Sequence, residues 1–270
     1  MNLDLQSFTC VQPNTGAAMT AVTGDPTAIR NGVRGKDIFC LAAWSTLQSV
    51  AGFTQILWPS GHDLVRGFRW QAPVALSQVG SPGLFPMCFK PQDPLTLTQS
   101  GSNTALDRQY ASLLMWYEDL PGIDAHLITV GALHNRGVQS LTVQGSITAT
   151  DTGTYSGEEA LNADSDLLHA DTLYAIVGGT VSVRCTSLAV RGPDFGNMRL
   201  GFPGEPTQQQ QTAQFFADLG MRLDLPCIPV FNSANRAGTL VSVLQDENAT
   251  AVPYTLNLVE LGPARQSPTA

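Results

Sequence analysis

The stretch at residues 37–68, DIFCLAAWSTLQSVAGFTQILWPSGHDLVRGF, decides the fold once it is set against residues 171–202, DTLYAIVGGTVSVRCTSLAVRGPDFGNMRLGF. Asp37 and Asp171 are separated by 171 − 37 = 134 positions, and Gly67-Phe68 and Gly201-Phe202 by the same 201 − 67 = 134, so the two align without a gap. Further on, LFPMCFKPQDPLTLT from Leu84 resembles CIPVFNSANRAGTLV from Cys227, with Pro86 against Pro229 at 229 − 86 = 143 and Tyr110 against Tyr254 at 254 − 110 = 144. Order is kept and the offset drifts only by loop-sized insertions, which is how a tandem duplication of one unit reads.

Within each copy the segments are strands. Residues 37–44 (DIFCLAAW), 111–117 (ASLLMWY), 140–149 (SLTVQGSITA), 180–190 (TVSVRCTSLAV) and 254–261 (YTLNLVEL) are rich in β-branched and aromatic residues and bounded by Gly, Pro, Asn and Asp. The 25 Gly and 17 Pro residues supply turns for an all-β body. Helical periodicity is limited to short runs at residues 104–109, 158–168 and 212–219. Each half holds roughly seven or eight strand-like runs, the strand count of a jelly roll or similar sandwich. The expected organisation is two tandem jelly-roll β-sandwiches with a few short helices: residues 1–150 and 151–270, joined by the polar, acidic segment DTGTYSGEEALNADSD within a linker at about 151–170.

Composition narrows function. Charged residues are 13% of the 270, against about 25% in an ordinary soluble domain, while 43% are hydrophobic. A surface so short of charge fits a protein covered by other subunits. The net charge is −8, with no run of Lys or Arg, and the last ten residues hold only Arg265 as a cation. Direct nucleic-acid binding is therefore not expected. Cys10, Cys40, Cys88, Cys185 and Cys227 show no metal-ligand spacing and read as reduced, mostly buried thiols. Without an apolar leader or a run long enough to span a bilayer, the chain reads as soluble and made in the cytoplasm.

The residues that could carry chemistry do not converge. His62, His126, His134 and His169 form no HxH or HExxH pattern, although His126 and His134 could meet across a hairpin. Glu158, Glu159, Asp164 and Asp166 concentrate carboxylates in the linker, where a solvated loop is the simpler reading than a glycosidase pair. Glu118 and Asp119 lead into the Leu120-Pro121-Gly122 turn. No GxSxG elbow occurs, the glycines of residues 192–204 do not match a dinucleotide fingerprint, and Gln208–Gln211 read as a polar loop. Asn248-Ala249-Thr250 matches a glycosylation acceptor that only a secretory route would give meaning. Trp44, Trp58, Trp70 and Trp116 could stack on sugars or bases, but their apolar neighbours assign them to packing. No catalytic, cofactor-binding or metal-ligating residue is expected, and no cofactor.

The tandem all-β repeat, the GPDFGNMRLGFPG and LPCIPVFNSAN stretches and the YEDLPG turn together resemble the double jelly-roll major capsid proteins of tailless icosahedral, membrane-containing bacteriophages and related viruses. The resemblance implies two eight-stranded sandwiches side by side, standing on a shell surface, with three chains forming a pseudo-hexameric capsomer. The partners implied are the same chain, as homotrimer and as neighbouring capsomers, minor capsid or vertex proteins, and an internal lipid membrane; the location implied is the virion. A minor capsid, vertex or spike protein, or a carbohydrate-binding β-sandwich lectin, is the alternative. The turns at residues 192–197 and 232–236 and the 151–166 segment are the expected interface contributors.

Overall fold

The computed structural model describes residues 1–11, 20–21, 23–24, 29–30, 35–46, 52–61, 67–72, 83–100, 108–123, 125–151, 153–161, 167–181, 185–204, 212–245 and 251–264. They divide into two compact units, Asp4–Pro121 and Gly122–Ala270, the second also taking in Met1–Leu3. The chain is all-β in character, with antiparallel sheets and few helices.

In the first unit the strands are β1 (Asn2–Val11), β2 (Thr20–Ala21), β3 (Thr23–Gly24), β4 (Ile38–Thr46), β5 (Gly52–Leu57), β6 (Phe68–Ala72), β7 (Gly83–Cys88), β8 (Thr96–Ser100) and β9 (Arg108–Tyr117). They form one sheet ordered β3-β1-β9-β4-β7 and another ordered β2-β8-β5-β6. The second unit holds β10 (Leu127–Ile128), helix α1 (Val130–Arg136), β11 (Gln139–Thr148), β12 (Tyr155–Ala160), β13 (Thr172–Val181), β14 (Cys185–Arg191), β15 (Arg199–Pro203), helix α2 (Phe215–Leu223), β16 (Ile228–Asn232), β17 (Leu240–Gln245) and β18 (Ala251–Pro263). Its sheets are ordered β11-β18-β13-β16-β10 and β12-β17-β14-β15. Replacing β1, β2, β4, β5, β6, β7, β8 and β9 by β11 to β18 in turn converts the first unit's sheets into the second's, leaving β3 and β10 as additions among the described residues.

The repeat read in the sequence coincides with this equivalence. Ile38 opens β4 and Thr172 opens β13, again 172 − 38 = 134 apart, and Tyr110 and Tyr254 lie in the last strand of their units. Asp37 and Asp171 keep one role: the Asp37 carbonyl accepts from Glu118 N at 2.9 Å and the Asp171 carbonyl from Ala264 N at 2.8 Å, tying the start of the third strand to the end of the last. The Gly-Phe landmark is displaced, because Ile56 pairs with Phe68 in the first unit while its counterpart Val190 pairs with Leu200.

Several expectations need correction. The change of unit falls between Pro121 and Gly122, not near residue 150. Residues 139–148 are β11, and its unbroken ladder with β18 places it in the second unit. The presumed linker contains β12, paired with β17. Its alternation is concealed by Gly157, by Glu158-Glu159 and by a bulge between Ser156 and Glu159. The helix read at 158–168 is therefore absent at Glu158–Ala160, and the single strand read at 180–190 covers the end of β13 and most of β14, with 182–184 outside the described residues. The run at 104–109 ends in β9, with 104–107 outside the described residues, whereas 212–219 overlaps α2. Helix α1 went unread because its seven residues carry no amphipathic period; Thr129 caps it by accepting from Ala132 N at 3.1 Å.

Helix α2 shows how close packing positions an element. Its buried Phe215 and Phe216 meet Phe202 of β15, with ring centroids 6.4 and 6.3 Å away. The segment leading into it lies directly over the bulge in β13: a Cβ on Gly178 would sit 2.3 Å from Thr212 O and 2.6 Å from Phe215 N, both backbone atoms that cannot swing aside. Gly178→Ala is expected to destabilise the second unit by about 1–3 kcal/mol through overpacking. Urea unfolding followed by far-ultraviolet circular dichroism checks this, and an unchanged midpoint would show that α2 does not depend on that contact.

Candidate functional site

The turns expected at an interface are brought together in the second unit. Asp194 follows Pro193 in a 3-10 turn after β14, and its carboxylate accepts from Asn232 N at 3.0 Å and from Asn235 Nδ2 at 3.0 Å. Asn232 in turn caps the 3-10 turn Ser233–Gly238 by accepting from Ala234 N at 2.9 Å. Backbone bonds complete the junction: His126 N donates to Asp194 O, Thr239 N to Arg236 O, and Leu161 N to Thr239 O. Ser233 Oγ donates to His169 O at 2.7 Å and accepts from Thr172 N, which draws in the connection between β12 and β13. The outcome is a fully braced surface whose exposed members, Pro193, Asn197, Ala234, Ala237 and Gly238, are small and uncharged.

The first unit repeats this junction with the acid on the opposite turn. Ser60 follows Pro59, 193 − 59 = 134 positions before Pro193, and its hydroxyl donates to the Asp93 carboxylate of the turn after β7. Asp93 also accepts from Lys90 N at 2.9 Å, and its carbonyl accepts from Ile29 N at 2.8 Å. The sequence held this signal in the ungapped repeat, where a Pro and then a polar residue recur at one offset. Only the turn capping it implies was missed.

Other candidates are dispersed. His62, Asp164, Asp166, Gln208–Gln211 and Asn248–Thr250 lie outside the described residues. His126 and His134 do not share a hairpin: one precedes β10 and the other lies on α1. Glu158 pairs with Arg191 at 2.6 Å, two strands of one sheet apart, and Glu118 accepts from Lys36 Nζ at 2.9 Å and Asp37 N at 3.0 Å. The Asp37 amide first, and then Lys36, hold the Glu118 carboxyl below its usual range. Trp44, Trp58 and Trp116 are buried, Trp58 against Phe89 at 4.9 Å and Trp116 stacked on Phe39 at 5.7 Å, as packing residues would be. Asp4 is buried in β1 beside Arg30 at 2.6 Å, and burial together with Asp4 pushes the nearby Tyr117 hydroxyl up. Among the described residues no group of three His, Cys, Asp or Glu side chains is placed to hold a metal ion, and no helix is long and apolar enough to cross a membrane.

The thiols are graded by burial. Cys40, Cys185 and Cys227 are buried, and desolvation pushes each up to about 12, so they stay protonated near neutrality, while Cys88 is exposed. A thiol reagent at neutral pH is expected to modify Cys88 in the folded protein and the buried three only after unfolding, as peptide mapping would show. Asp194→Ala strands the Asn232 amide and the Asn235 side chain and is expected to cost about 1–3 kcal/mol. Faster hydrogen exchange confined to residues 192–198 and 232–239 would locate the loss at this junction.

No family model and no curated protein matches the chain. Among solved structures, the crystal structure of the PBSX exported protein XepA is similar over 92% of this chain and 84% of that chain, at 10% identity and a TM-score of 0.25.

Proposed function

We propose that the chain is a structural virion protein: a double jelly-roll major capsid protein that trimerises into pseudo-hexameric capsomers and tiles an icosahedral shell. The observation that carries this reading is the doubled strand order. With β3 and β10 set aside, in each unit the first strand lies beside the last, the last beside the third and the third beside the sixth, with the second, seventh, fourth and fifth forming the other sheet. That order is the jelly-roll order, and finding it twice in one chain supports a double jelly roll. A duplicated unit gives a trimer six similar contact sets around one axis, which suits a hexagonal lattice position.

The sparse charge and the braced, neutral turns agree with a surface meant to be covered. On this reading the partners are other copies of the chain, minor capsid or vertex proteins and an internal membrane; the protein does no chemistry, binds no nucleic acid directly, and is made in the host cytoplasm and located in the virion. Light scattering on the purified protein across salt and protein concentration is expected to give a trimer or larger assemblies, and negative-stain imaging to show particles or sheets of hexagonal units. A strict monomer at high concentration would refute the capsomer reading, and retention on a glycan column would replace it with the lectin.

A further inference from the structure

The outer strands of the two units are not alike. At a sheet edge, exposed backbone groups invite pairing with another chain, and proteins blunt that hazard with short strands, charges, prolines or bulges. Among the described residues β2, β3 and β10 have two residues each. β6 has five with Arg69, β7 carries Pro86, β12 carries Glu158, Glu159 and a bulge, and β15 carries Arg199 and Pro203. β11 has none of these devices. It runs ten residues, QSLTVQGSIT, without a charge or a proline, and holds ten successive pairs with β18 in unbroken register. No other strand of the described residues lies along its far side.

The register also fixes which backbone groups face that side. Ser146 lies opposite Pro253, which has no N–H, so this pair cannot exchange both bonds of a hydrogen-bonded pair. The backbone N–H and C=O of Ser146 therefore point away from β18, and because the ladder alternates without a break, so do those of Ser140, Thr142 and Thr148. An antiparallel copy of the strand matches these groups to themselves. With Ser140 opposite Thr148 and Thr142 opposite Ser146, 140 + 148 = 142 + 146 = 288, the outward backbone donors and acceptors face one another and small polar side chains lie across from small polar side chains. The same alignment carries the Arg136 end of each strand toward the Asp151 end of the other, and no like charges oppose one another along the ladder.

We propose that β11 is a self-association edge, pairing antiparallel across a two-fold axis with β11 of a second copy. The choice of a second copy rests partly on the assembly reading above and partly on this self-complementarity of charge and hydrogen bonding. The test uses the full chain in two paired variants, Thr142→Lys/Ser146→Lys and Thr142→Glu/Ser146→Glu, alongside Ser146→Pro, with folding checked by circular dichroism. Each paired variant sets like charges against each other across the axis and is expected to weaken self-association about tenfold or more in sedimentation analysis; mixing the two restores it. Ser146→Pro removes an outward donor without touching the β18 ladder and is expected to weaken association similarly, with loss of hydrogen-exchange protection within residues 139–148. Folded variants that assemble as the parent does would overturn the β11 contact and leave the assembly reading standing. A parent chain that is monomeric at every concentration would overturn both.

Discussion

The antiparallel pairing of third strand with last, β4 with β9 and β13 with β18, is the constraint on which each unit depends. Ile38 pairs with Tyr117 and Thr46 with Tyr110, so the ladder closes most of the first unit's chain length into one loop. In the second unit the ladder runs from Thr172 with Pro263 to Val181 with Tyr254. Such closure is entropically expensive before it is rewarded, and the reward is burial: Leu113, Leu114, Met115, Tyr174, Ala175 and Ile176 are at most 1% exposed. Every other strand is then laid beside or across this pair, and the bonds to the Asp37 and Asp171 carbonyls fasten its open end.

Legibility in the sequence follows burial. β4, β9 and β13 are buried on successive residues and read as continuous apolar runs, and β18 alternates cleanly as a strand with one exposed face does. β12 reads as linker in the sequence because Gly157 and two glutamates occupy an outer strand with little apolar burial, and a boundary drawn there falls inside the second unit. The turn at Leu120-Pro121-Gly122, which ends 122 − 117 = 5 positions beyond Tyr117 at the end of β9, is too short to signal a boundary by composition. The turns at 192–197 and 232–236 were legible as turns, but that Asp194 joins them was not, since the contact spans strands that only the fold brings together.

Several of the charged side chains are engaged within the fold or in pairs at its surface. Asp93 and Asp194 cap turns, Asp4 holds Arg30, Glu158 holds Arg191, Glu118 fastens Asp37 and Lys36, and Glu260 accepts from Gln139 at 2.9 Å. A carboxylate bound to backbone amides is a structural group whose field is already answered locally.

Two units of one strand order present unlike surfaces on like frameworks. Between the units the braced turn survives while its chemistry changes sides, Ser60 donating to Asp93 in one and Asn235 to Asp194 in the other. The units share strand order and not residue identity, which is why the repeat is faint in sequence. The first strands also differ: β1 is flanked by β3 through Phe8–Gly24 and Thr9–Thr23, whereas β11 stands outermost in its sheet among the described residues. Two identical units would offer the same edge twice and invite open-ended pairing. With one first strand flanked and the other outermost, a single edge of this kind remains per chain, and a two-fold axis closes its pairing.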